Sequence, residues 1–283
     1  MIPEEVVVWL NQQGYGYVSL STPLGGGCIN NGVRLETERG KTFFLKTNCN
    51  NPEDMFLREA QGLAELASGE GPRTPLVYLS GRDFLLLEDL APAPPVRDYW
   101  ELFGRQMAAL HDRSSGRFGF TEDNYIGSTL QPNPWTDSGF EFFGEQRLNF
   151  QAGLAAKRGL LDPVEVRRVE GISARLPELV PEQPVSLLHG DLWSGNAISD
   201  DGGLPAVIDP AVYYGWAEAD LAMTALFGGF SQVFYDAYIE ARPLAAGWRD
   251  RFPVYNLYHL LNHLNLFGSG YYRQVIDVVQ RFG

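Results

Sequence analysis

Four polar residues lie between short apolar runs in the segment "SLLHGDLWSGNAISDDGGLPAVIDPA": His189, Asp191, Asn196 and Asp209. Two carboxylates and a carboxamide are costly to bring together near a core unless a cation or a reacting hydroxyl neutralises them. Phosphoryl transfer from ATP needs one carboxylate to orient the acceptor hydroxyl and take its proton. It also needs an amide oxygen and a second carboxylate to hold metal ions on the phosphates. The order and spacing are those of the kinase catalytic loop followed by a metal-binding Asp, and they predict phosphoryl transfer.

Each of these residues also has a structural explanation when it is taken singly. Asp191 and Asn196 are common in turns, Asp209 could cap a helix, and His189 could be a core histidine. The catalytic interpretation is favoured because residues upstream agree with it.

The first upstream feature is the glycine-rich stretch "PLGGGCINNG", which lies between two predicted strands. The backbone N–H groups around Gly25, Gly26 and Gly27 could hold phosphates. The stretch departs from the pattern G-x-G-x-x-G, since Asn30 stands where the third glycine would fall, and a flexible turn is the alternative. Lys46 follows in "FFLKTN", on a predicted strand, as the phosphate-binding lysine of kinases does. Most strand lysines, however, point to solvent.

Two further features come in the order that an ATP site requires. Glu59, on the next predicted helix, could pair with Lys46, or it could belong to a surface charge cluster with the neighbouring arginine. The run "LLLEDLA" ends just before a proline-rich connector. There, backbone groups of Glu88, Asp89 and Leu90 could bind the edge of adenine.

Composition limits the classes of function. The chain has 283 residues, 45% of them hydrophobic, so it can bury a sizeable core. Its net charge of −13 argues against a nucleic-acid groove and against an anionic membrane surface. The apolar runs are too short to cross a bilayer, and the acidic start "MIPEEVVVWLNQQG" lacks the basic region of a secretory signal. Two cysteines, Cys28 and Cys49, cannot form a disulfide framework and indicate a reducing compartment, the cytoplasm.

The pattern of elements divides the chain into two parts. A short amphipathic helix is predicted at 3–13, period-two strands at 17–48 with a hairpin turn at "ERGK", a helix at 52–68 and two more strands at "PLVYLSG" and "DFLLLEDLA". After the connector "APAPPVRD" the chain is mostly helical and is interrupted by two short strands, "VSLL" and "AVID". The helices are predicted at 98–113, 140–160, 162–177, 216–241 and 252–267. We therefore predict an α+β fold with a small β-rich lobe, residues 1–90, and a larger mostly helical lobe, residues 91–283, that carries the catalytic loop.

The sequence closely resembles the fructosamine kinase (ketosamine-3-kinase) family, relatives of aminoglycoside and choline kinases with a protein-kinase-like fold. The resemblance covers nearly the whole chain. It rests on "GGGCINNG", "FFLK", "MFLREAQGL", "LLLEDL", "MAALH", "DNYIGSTLQPNPW", "FFGEQRL", "LLHGDLWSGN", "VIDPAVYYGWAEADLAM" and "YNLYHLLNHLNLFGSGY". The family transfers the γ-phosphate of ATP to the 3-hydroxyl of a ketosamine, a sugar attached to an amine by glycation. The resulting 3-phosphate is unstable, and its decomposition releases the free amine.

The resemblance implies roles for single residues. Asp191 matches the catalytic base, and Asn196 and Asp209 match the ligands of Mg²⁺. Lys46 and Glu59 match the pair that positions ATP. Glu88 to Leu90 match the hinge.

Further matches concern the support of the catalytic loop and the acceptor pocket. His189 and Asp220 match residues that support the loop, although Asp220 could equally be a helix-cap carboxylate. Trp193 and His263 lie where the family lines its sugar pocket. A core aromatic and a core or surface histidine are the alternatives.

The expected partners are ATP, Mg²⁺ and either small-molecule ketosamines or glycated protein lysines. A kinase of another hydroxylated amine, such as an aminoglycoside, and a non-catalytic nucleotide-binding protein are the alternatives. Neither the sugar nor the amine is determined by the sequence. Cys28 lies where the phosphates should be, so we expect a monomer or a redox-linked homodimer in which oxidation of this thiol lowers activity.

Overall fold

The computed structural model describes residues 2–24 and 31–283 of the chain. Its amino-terminal part is an antiparallel sheet of five strands in the order β1-β2-β3-β5-β4, with one helix on each face. The elements are β1 Val18–Leu24, β2 Asn31–Thr37, β3 Thr42–Thr47, β4 Val77–Ser80, β5 Phe84–Glu88, α1 Glu4–Gln12 and α2 Met55–Ala67.

The alternation of side chains along β3 decides what each face of the sheet contacts. Phe43 and Leu45 are buried in a cluster with Val6 and Leu10 of α1. Phe44 points to the opposite face and packs in the cluster that contains residues of α2. Since successive strand residues point to opposite faces, Lys46 lies on the α2 face as well.

The sequence predictions for this part are confirmed. β2 and β3 are joined at "ERGK", where the Thr37 N–H donates to the Lys41 carbonyl at 2.9 Å and Gly40 has a φ of +75°. The two apolar runs form β4 and β5, which pair with each other.

The rest of the chain is mostly helical. Its helices are α3 Tyr99–His111, α4 Gly139–Phe143, α5 Phe150–Lys157, α6 Pro163–Ala174, α7 Leu176–Leu179, α8 Ala217–Leu226, α9 Gln232–Ala241, α10 Phe252–Phe267 and α11 Tyr272–Phe282. A π-helical turn, Gly144–Asn149, joins α4 to α5. α10 is buried along most of its length, which places it at the centre of the largest hydrophobic cluster.

Three pairs of short antiparallel strands interrupt the helices: β6 Asn124–Ile126 with β7 Thr129–Gln131, β8 Ser186–Leu188 with β11 Tyr213–Gly215, and β9 Ala197–Ser199 with β10 Pro205–Val207. The predicted strands "VSLL" and "AVID" are β8 and β10. They pair with β11 and β9, which the sequence pattern did not predict, and not with each other.

The prediction of one helix at 216–241 is wrong. α8 ends at Leu226 and α9 begins at Gln232. Two adjacent glycines, Gly228 and Gly229, lie between them, and Gly228 has a φ of +118°, which ends the helix because an L side chain rarely adopts that conformation. The hairpin β6–β7 and helix α11 were not predicted either.

The connector after β5 is attached to the helical part. The Ala93 N–H donates to the Asp200 carbonyl at 2.9 Å, and the Val96 N–H donates to the Gly203 carbonyl at 3.0 Å. These bonds dock the connector on the β9–β10 hairpin. The division of the chain at residue 90 stays a prediction. Of the helices in the described ranges, none combines the length and the apolar character that a bilayer crossing requires.

Candidate active site

The loop between β8 and β9 carries the residues predicted to do the chemistry. Gly190, at its start, has a φ of +83°, and a Cβ atom there would lie 1.9 Å from the Ala211 carbonyl oxygen. Only glycine can therefore occupy this position, because the loop passes directly against the segment that follows Asp209.

His189 is buried and connects the two ends of this region. Its Nδ1 accepts a hydrogen bond from the Asp191 N–H at 3.2 Å, and its Nε2 lies 3.0 Å from the Ile208 carbonyl. The first contact makes Nδ1 an acceptor, so Nε2 carries the proton and donates it to Ile208. Burial lowers the pKa of His189, in agreement with a neutral ring. His189 therefore ties Asp191 to the residue before Asp209.

Asp220 lies in the first turn of α8 and is buried. Its carboxylate accepts the His189 N–H at 2.7 Å and the Gly190 N–H at 2.9 Å, and His111 Nε2 lies 3.2 Å from it. Burial opposes ionisation, yet the hydrogen bonds from His111 and from the Gly190 backbone keep the pKa of this carboxyl below its ordinary value. Asp220 therefore holds the backbone of the catalytic loop.

Asp191 and Asn196 face each other across the loop. Asn196 Nδ2 donates to Asp191 Oδ2 at 3.1 Å, to the Asp191 carbonyl at 2.8 Å and to the Asp209 carbonyl at 3.4 Å. Burial and the nearby Asp209 charge raise the pKa of Asp191 to about 7, although the Asn196 hydrogen bond acts in the opposite direction. A carboxylate with a pKa near neutrality is well suited to take a proton from a hydroxyl.

Lys46 is almost fully buried between two carboxylates. Its Nζ lies 2.5 Å from Glu59 Oε1 and 2.6 Å from Asp209 Oδ1. Burial alone would lower the pKa of Lys46, but the charges of Asp209 and Glu59 raise it above its ordinary value. Arg58, the alternative partner of Glu59, bonds to Asp54 instead. The structure thus joins the strand, the helix and the loop after β10 in one cluster.

Two features of Asp209 bear on its predicted role as a metal ligand. Its side chain is 42% exposed, and its backbone has a φ of +57°, a region that residues other than glycine rarely adopt. Asn196 uses its Nδ2 for the contacts described above, which leaves its Oδ1 as a donor of electrons to a cation. In the described parts of the chain, no group of three or more His, Cys, Asp and Glu could hold a metal by itself. One carboxylate and one amide oxygen fit Mg²⁺, which takes further ligands from phosphates and water.

The predicted hinge is only partly available to a ligand. The Glu88 N–H donates to the Leu76 carbonyl at 2.8 Å, and the Glu88 side chain pairs with Arg73 at 2.8 Å. The Asp89 carboxylate pairs with Arg34 at 2.6 Å. Within residues 2–24 and 31–283, neither the Asp89 N–H nor the Leu90 N–H has a hydrogen-bond partner, which leaves both as backbone donors at this position.

Trp193 and His263 belong to one group of aromatic side chains. The ring centroids of Trp193 and Phe227 are 6.3 Å apart, and those of Phe227 and His263 are 4.8 Å apart. The ring centroids of Tyr271 and His263 are 5.0 Å apart. His263 Nδ1 donates to the His259 carbonyl at 2.8 Å, so its Nε2 carries a lone pair, and burial lowers the pKa of the ring. This half-buried wall offers apolar faces and one hydrogen-bond acceptor.

Sequence reasoning missed several residues of this region. His111 was quoted in "MAALH" and Tyr271 in "YNLYHLLNHLNLFGSGY", both without a role, and Phe227 lies in the segment predicted as one helix at 216–241. The sequence "MAALH" at the end of a helix was a usable signal for His111. The turns after α8 and α10 place Phe227 and Tyr271 beside His263. The pattern of apolar residues does not predict these turns.

Some predicted residues cannot be placed. Gly25, Gly26, Gly27 and Cys28 lie outside the described residues. Cys49 is an exposed free thiol.

The chain matches one protein family over nearly its whole length. The family model described as Fructosamine kinase matches residues 3–282. The "Probable ketoamine kinase" of Synechocystis sp. is 42% identical over 263 residues, which are 91% of this chain and 88% of that protein. The chloroplastic protein-ribulosamine 3-kinase of Arabidopsis thaliana is 38% identical over 268 residues, 92% of this chain and 81% of that protein.

Solved structures agree with this match. A candidate fructosamine-3-kinase from Thermobifida fusca superposes with a TM-score of 0.89 at 35% identity, covering 99% of this chain and 98% of that chain. An aminoglycoside phosphotransferase, APH(4)-Ia, superposes with a TM-score of 0.62 at 16% identity, covering 97% of this chain and 98% of that chain. The second likeness concerns the fold, and it confirms the predicted two-lobed, kinase-like α+β architecture.

Proposed function

Because this chain belongs to the fructosamine kinase family, we propose that it is an ATP-dependent kinase that phosphorylates the 3-hydroxyl of ketosamines. Relatives that cover most of the chain are named ketoamine kinase and protein-ribulosamine 3-kinase. The observation that carries the proposal is the site itself. Asn196 donates both to the Asp191 carboxylate and to the Asp209 carbonyl, so the loop of Asp191 lies beside the cluster of Lys46, Glu59 and Asp209.

The phosphate side of the reaction is assigned to four side chains, those of Asn196, Asp209, Lys46 and Glu59, and to the metal. Asn196 and Asp209 hold Mg²⁺, which when bound neutralises charge on the phosphates of ATP. Lys46 supplies a fixed positive charge to the phosphates, and Glu59 keeps its ammonium in place. The phosphate-binding role predicted from the sequence for Gly25, Gly26 and Gly27 is part of the proposal, and the Leu90 N–H is assigned to the edge of adenine.

The acceptor side begins with Asp191. Its carboxylate takes the proton of the 3-hydroxyl as that oxygen attacks the γ-phosphorus and the bond to the ADP oxygen breaks. Asn196 fixes the orientation of the carboxylate through its 3.1 Å hydrogen bond. Asp220 and His189 keep the loop from moving during the transfer.

The aromatic wall is assigned to the sugar. Trp193 and Phe227 offer apolar faces to the carbon skeleton, and the His263 Nε2 accepts a hydrogen bond from a hydroxyl or from the amine. The net charge of −13 attracts a substrate whose amine is at least partly cationic. The amine belongs to a free amino acid or to a protein lysine. We propose a cytoplasmic location because the chain has only two cysteines. The proposed oligomeric state is a monomer or a redox-linked homodimer.

A coupled ATPase assay tests the function. Ribulosyl-lysine and fructosyl-lysine should each be offered beside free lysine, with Asp191→Asn as the control enzyme. We expect ADP release that depends on the ketosamine, and a phosphorylated product that decays to free lysine. Turnover on an aminoglycoside or on choline, with none on either ketosamine, would replace the proposal by that of another hydroxylated-amine kinase. Nucleotide binding without turnover on any acceptor would refute catalysis.

A further inference from the structure

The hairpin β6–β7 lies in the motif "DNYIGSTLQPN", to which the sequence and the resemblance assigned no role. We call residues 123–133 the brace. Its amide side chains are buried: Asn124, Gln131 and Asn133 are 4%, 1% and 1% exposed. Buried amides are costly unless every polar group is paired, so their partners reveal what the brace holds.

One set of partners is the segment that follows Asp209. Asn124 Nδ2 donates to the Val212 carbonyl at 2.7 Å, and Gln131 Nε2 donates to the Ala211 carbonyl at 3.1 Å and to Asn124 Oδ1 at 2.7 Å. On its other side, the Ala211 N–H donates to the His189 carbonyl at 2.9 Å. The segment that carries the metal-binding carboxylate is thus held between the catalytic loop and the brace.

The other partner of the brace is α2. Tyr125 Oη donates to Asp54 Oδ1 at 2.6 Å, and Asp54 immediately precedes the first residue of α2. α2 also touches the segment after Asp209, since a Cβ atom on Gly62 would lie 3.0 Å from Val212 Cγ2. Glu59 lies on α2 between these two contacts.

The brace is itself anchored by a buried arginine. Arg147, in the π-helical turn, donates from Nη2 to Asn133 Oδ1 at 2.6 Å and from Nη1 to the Pro132 carbonyl at 2.7 Å. Its guanidinium carbon lies 4.1 Å from the ring centroid of Tyr213 and 4.5 Å from that of Phe142. A buried cation with these partners fixes the brace to the helical lobe.

We propose that the brace is a positioning element for phosphoryl transfer, which holds α2 through Tyr125 so that Glu59 stays on Lys46 beside Asp209. This inference rests on the proposed kinase function. Tyr125 touches neither ATP nor the acceptor in this scheme and acts through Asp54 and α2. Because this hydrogen bond holds the N-terminus of α2, it opposes any movement of the helix that would take Glu59 away from Lys46.

The substitution Tyr125→Phe removes the hydroxyl and nothing else. We expect the Kd of Mg·ADP to rise and kcat/KM for ATP to fall, each about tenfold, as for a lost hydrogen bond to a carboxylate. The KM of ribulosyl-lysine should change by less than about twofold, since the acceptor wall is built from other elements. Tyr272→Phe is the matched control. The Tyr272 hydroxyl also donates to a carboxylate, that of Glu165, in an exposed pair between α11 and α6.

A double-mutant cycle with Glu59→Gln separates positioning from general stability. In the Glu59→Gln background, Tyr125→Phe should change the Kd of Mg·ADP by less than about twofold, because its effect passes through Glu59. Asp54→Asn, which keeps an acceptor for the tyrosine hydroxyl, should retain more affinity than Asp54→Ala.

The inference is overturned if Tyr125→Phe binds Mg·ADP as the wild type does, or if it causes the same tenfold loss with and without Glu59. Equal losses for nucleotide and acceptor, together with a lower Tm than Tyr272→Phe, would assign Tyr125 a structural role alone. The binding measurement needs no acceptor. If the wild type phosphorylates no ketosamine, the proposed function is refuted. The Kd values for Mg·ADP still test the proposal for the brace in that case.

Discussion

Lys46 Nζ lies 2.6 Å from Asp209 Oδ1, although 163 residues separate the two in the chain. The contact joins β3 of the sheet to the segment after β10 of the helical lobe. It places the cation that we propose for the phosphates next to the carboxylate that we propose for the metal. Neither residue is positioned by its neighbours in sequence alone.

Asp209→Ala removes both the proposed metal ligand and one partner of Lys46. We expect kcat/KM for Mg·ATP to fall by about 10³-fold, because the developing charge on the phosphates loses its stabilisation. Steady-state kinetics over a range of Mg²⁺ and ATP concentrations measures this. Asp201→Ala, at a largely exposed carboxylate that pairs with Arg73, is the control. Full recovery at high Mg²⁺ and ATP would make Asp209 a minor contact.

Asp191→Asn keeps the shape of the side chain and removes the proposed base. Turnover should fall by about 10²-fold or more while the affinity for ATP stays within a few-fold, as for the loss of a positioned general base. Single-turnover measurements with saturating ATP separate the two effects. A turnover close to that of the wild type would exclude Asp191 from this role.

Trp193→Ala tests the aromatic wall. We expect the KM of the ketosamine to rise about tenfold, because the apolar face against the sugar is lost, and the KM of ATP to stay unchanged. Trp248→Ala, at a half-buried tryptophan in the 3₁₀ turn before α10, should change neither value. Equal increases of both KM values after Trp193→Ala would instead indicate a collapsed core.

Asp220→Asn tests the support of the catalytic loop. The amide can accept only one of the two N–H groups that the carboxylate accepts now, and its own N–H₂ would face the other. We expect the free energy of unfolding to fall by about 2–4 kcal/mol, measured by urea denaturation, with a parallel loss of turnover. An unchanged urea midpoint would show that the loop does not depend on this carboxylate.

His259, on α10, predicts a pH dependence of stability. Burial, with a contribution from the charge of His263, lowers the pKa of His259 to about 3. As pH falls below 6.5, the unfolded chain takes up a proton that the folded chain does not, so stability is present at pH 7 and is lost on acidification. This single group accounts for about 2 kcal/mol between pH 7 and pH 5.

The comparison with His259→Leu isolates that contribution. The variant should lose about 2 kcal/mol less than the wild type over the same interval, because its unfolded chain lacks the proton that His259 takes up. Urea unfolding at the two pH values measures the difference. Equal losses would show that His259 does not titrate as described.

Features that depend on neighbouring residues were determined by the sequence. The alternation in "FFLKTN" predicted that Lys46 lies on a strand, and a period of two decides which face of the sheet the lysine occupies. The short segment 189–209 places Asp191, Asn196 and Asp209 within one loop and one hairpin, so their order and spacing predicted a common site.

Contacts between distant segments were decided by the tertiary structure. Whether Glu59 or Arg58 faces Lys46 depends on how α2 docks, and this docking follows from the close approach at Gly62 and from the Tyr125–Asp54 hydrogen bond. The brace escaped prediction because its strands have three residues each, too few for a periodic pattern, and because its stability comes from Arg147 and from backbone carbonyls elsewhere in the chain. A local pattern reports backbone geometry and burial. It does not report which distant group satisfies a buried polar side chain, and that choice exists only once the helices have packed.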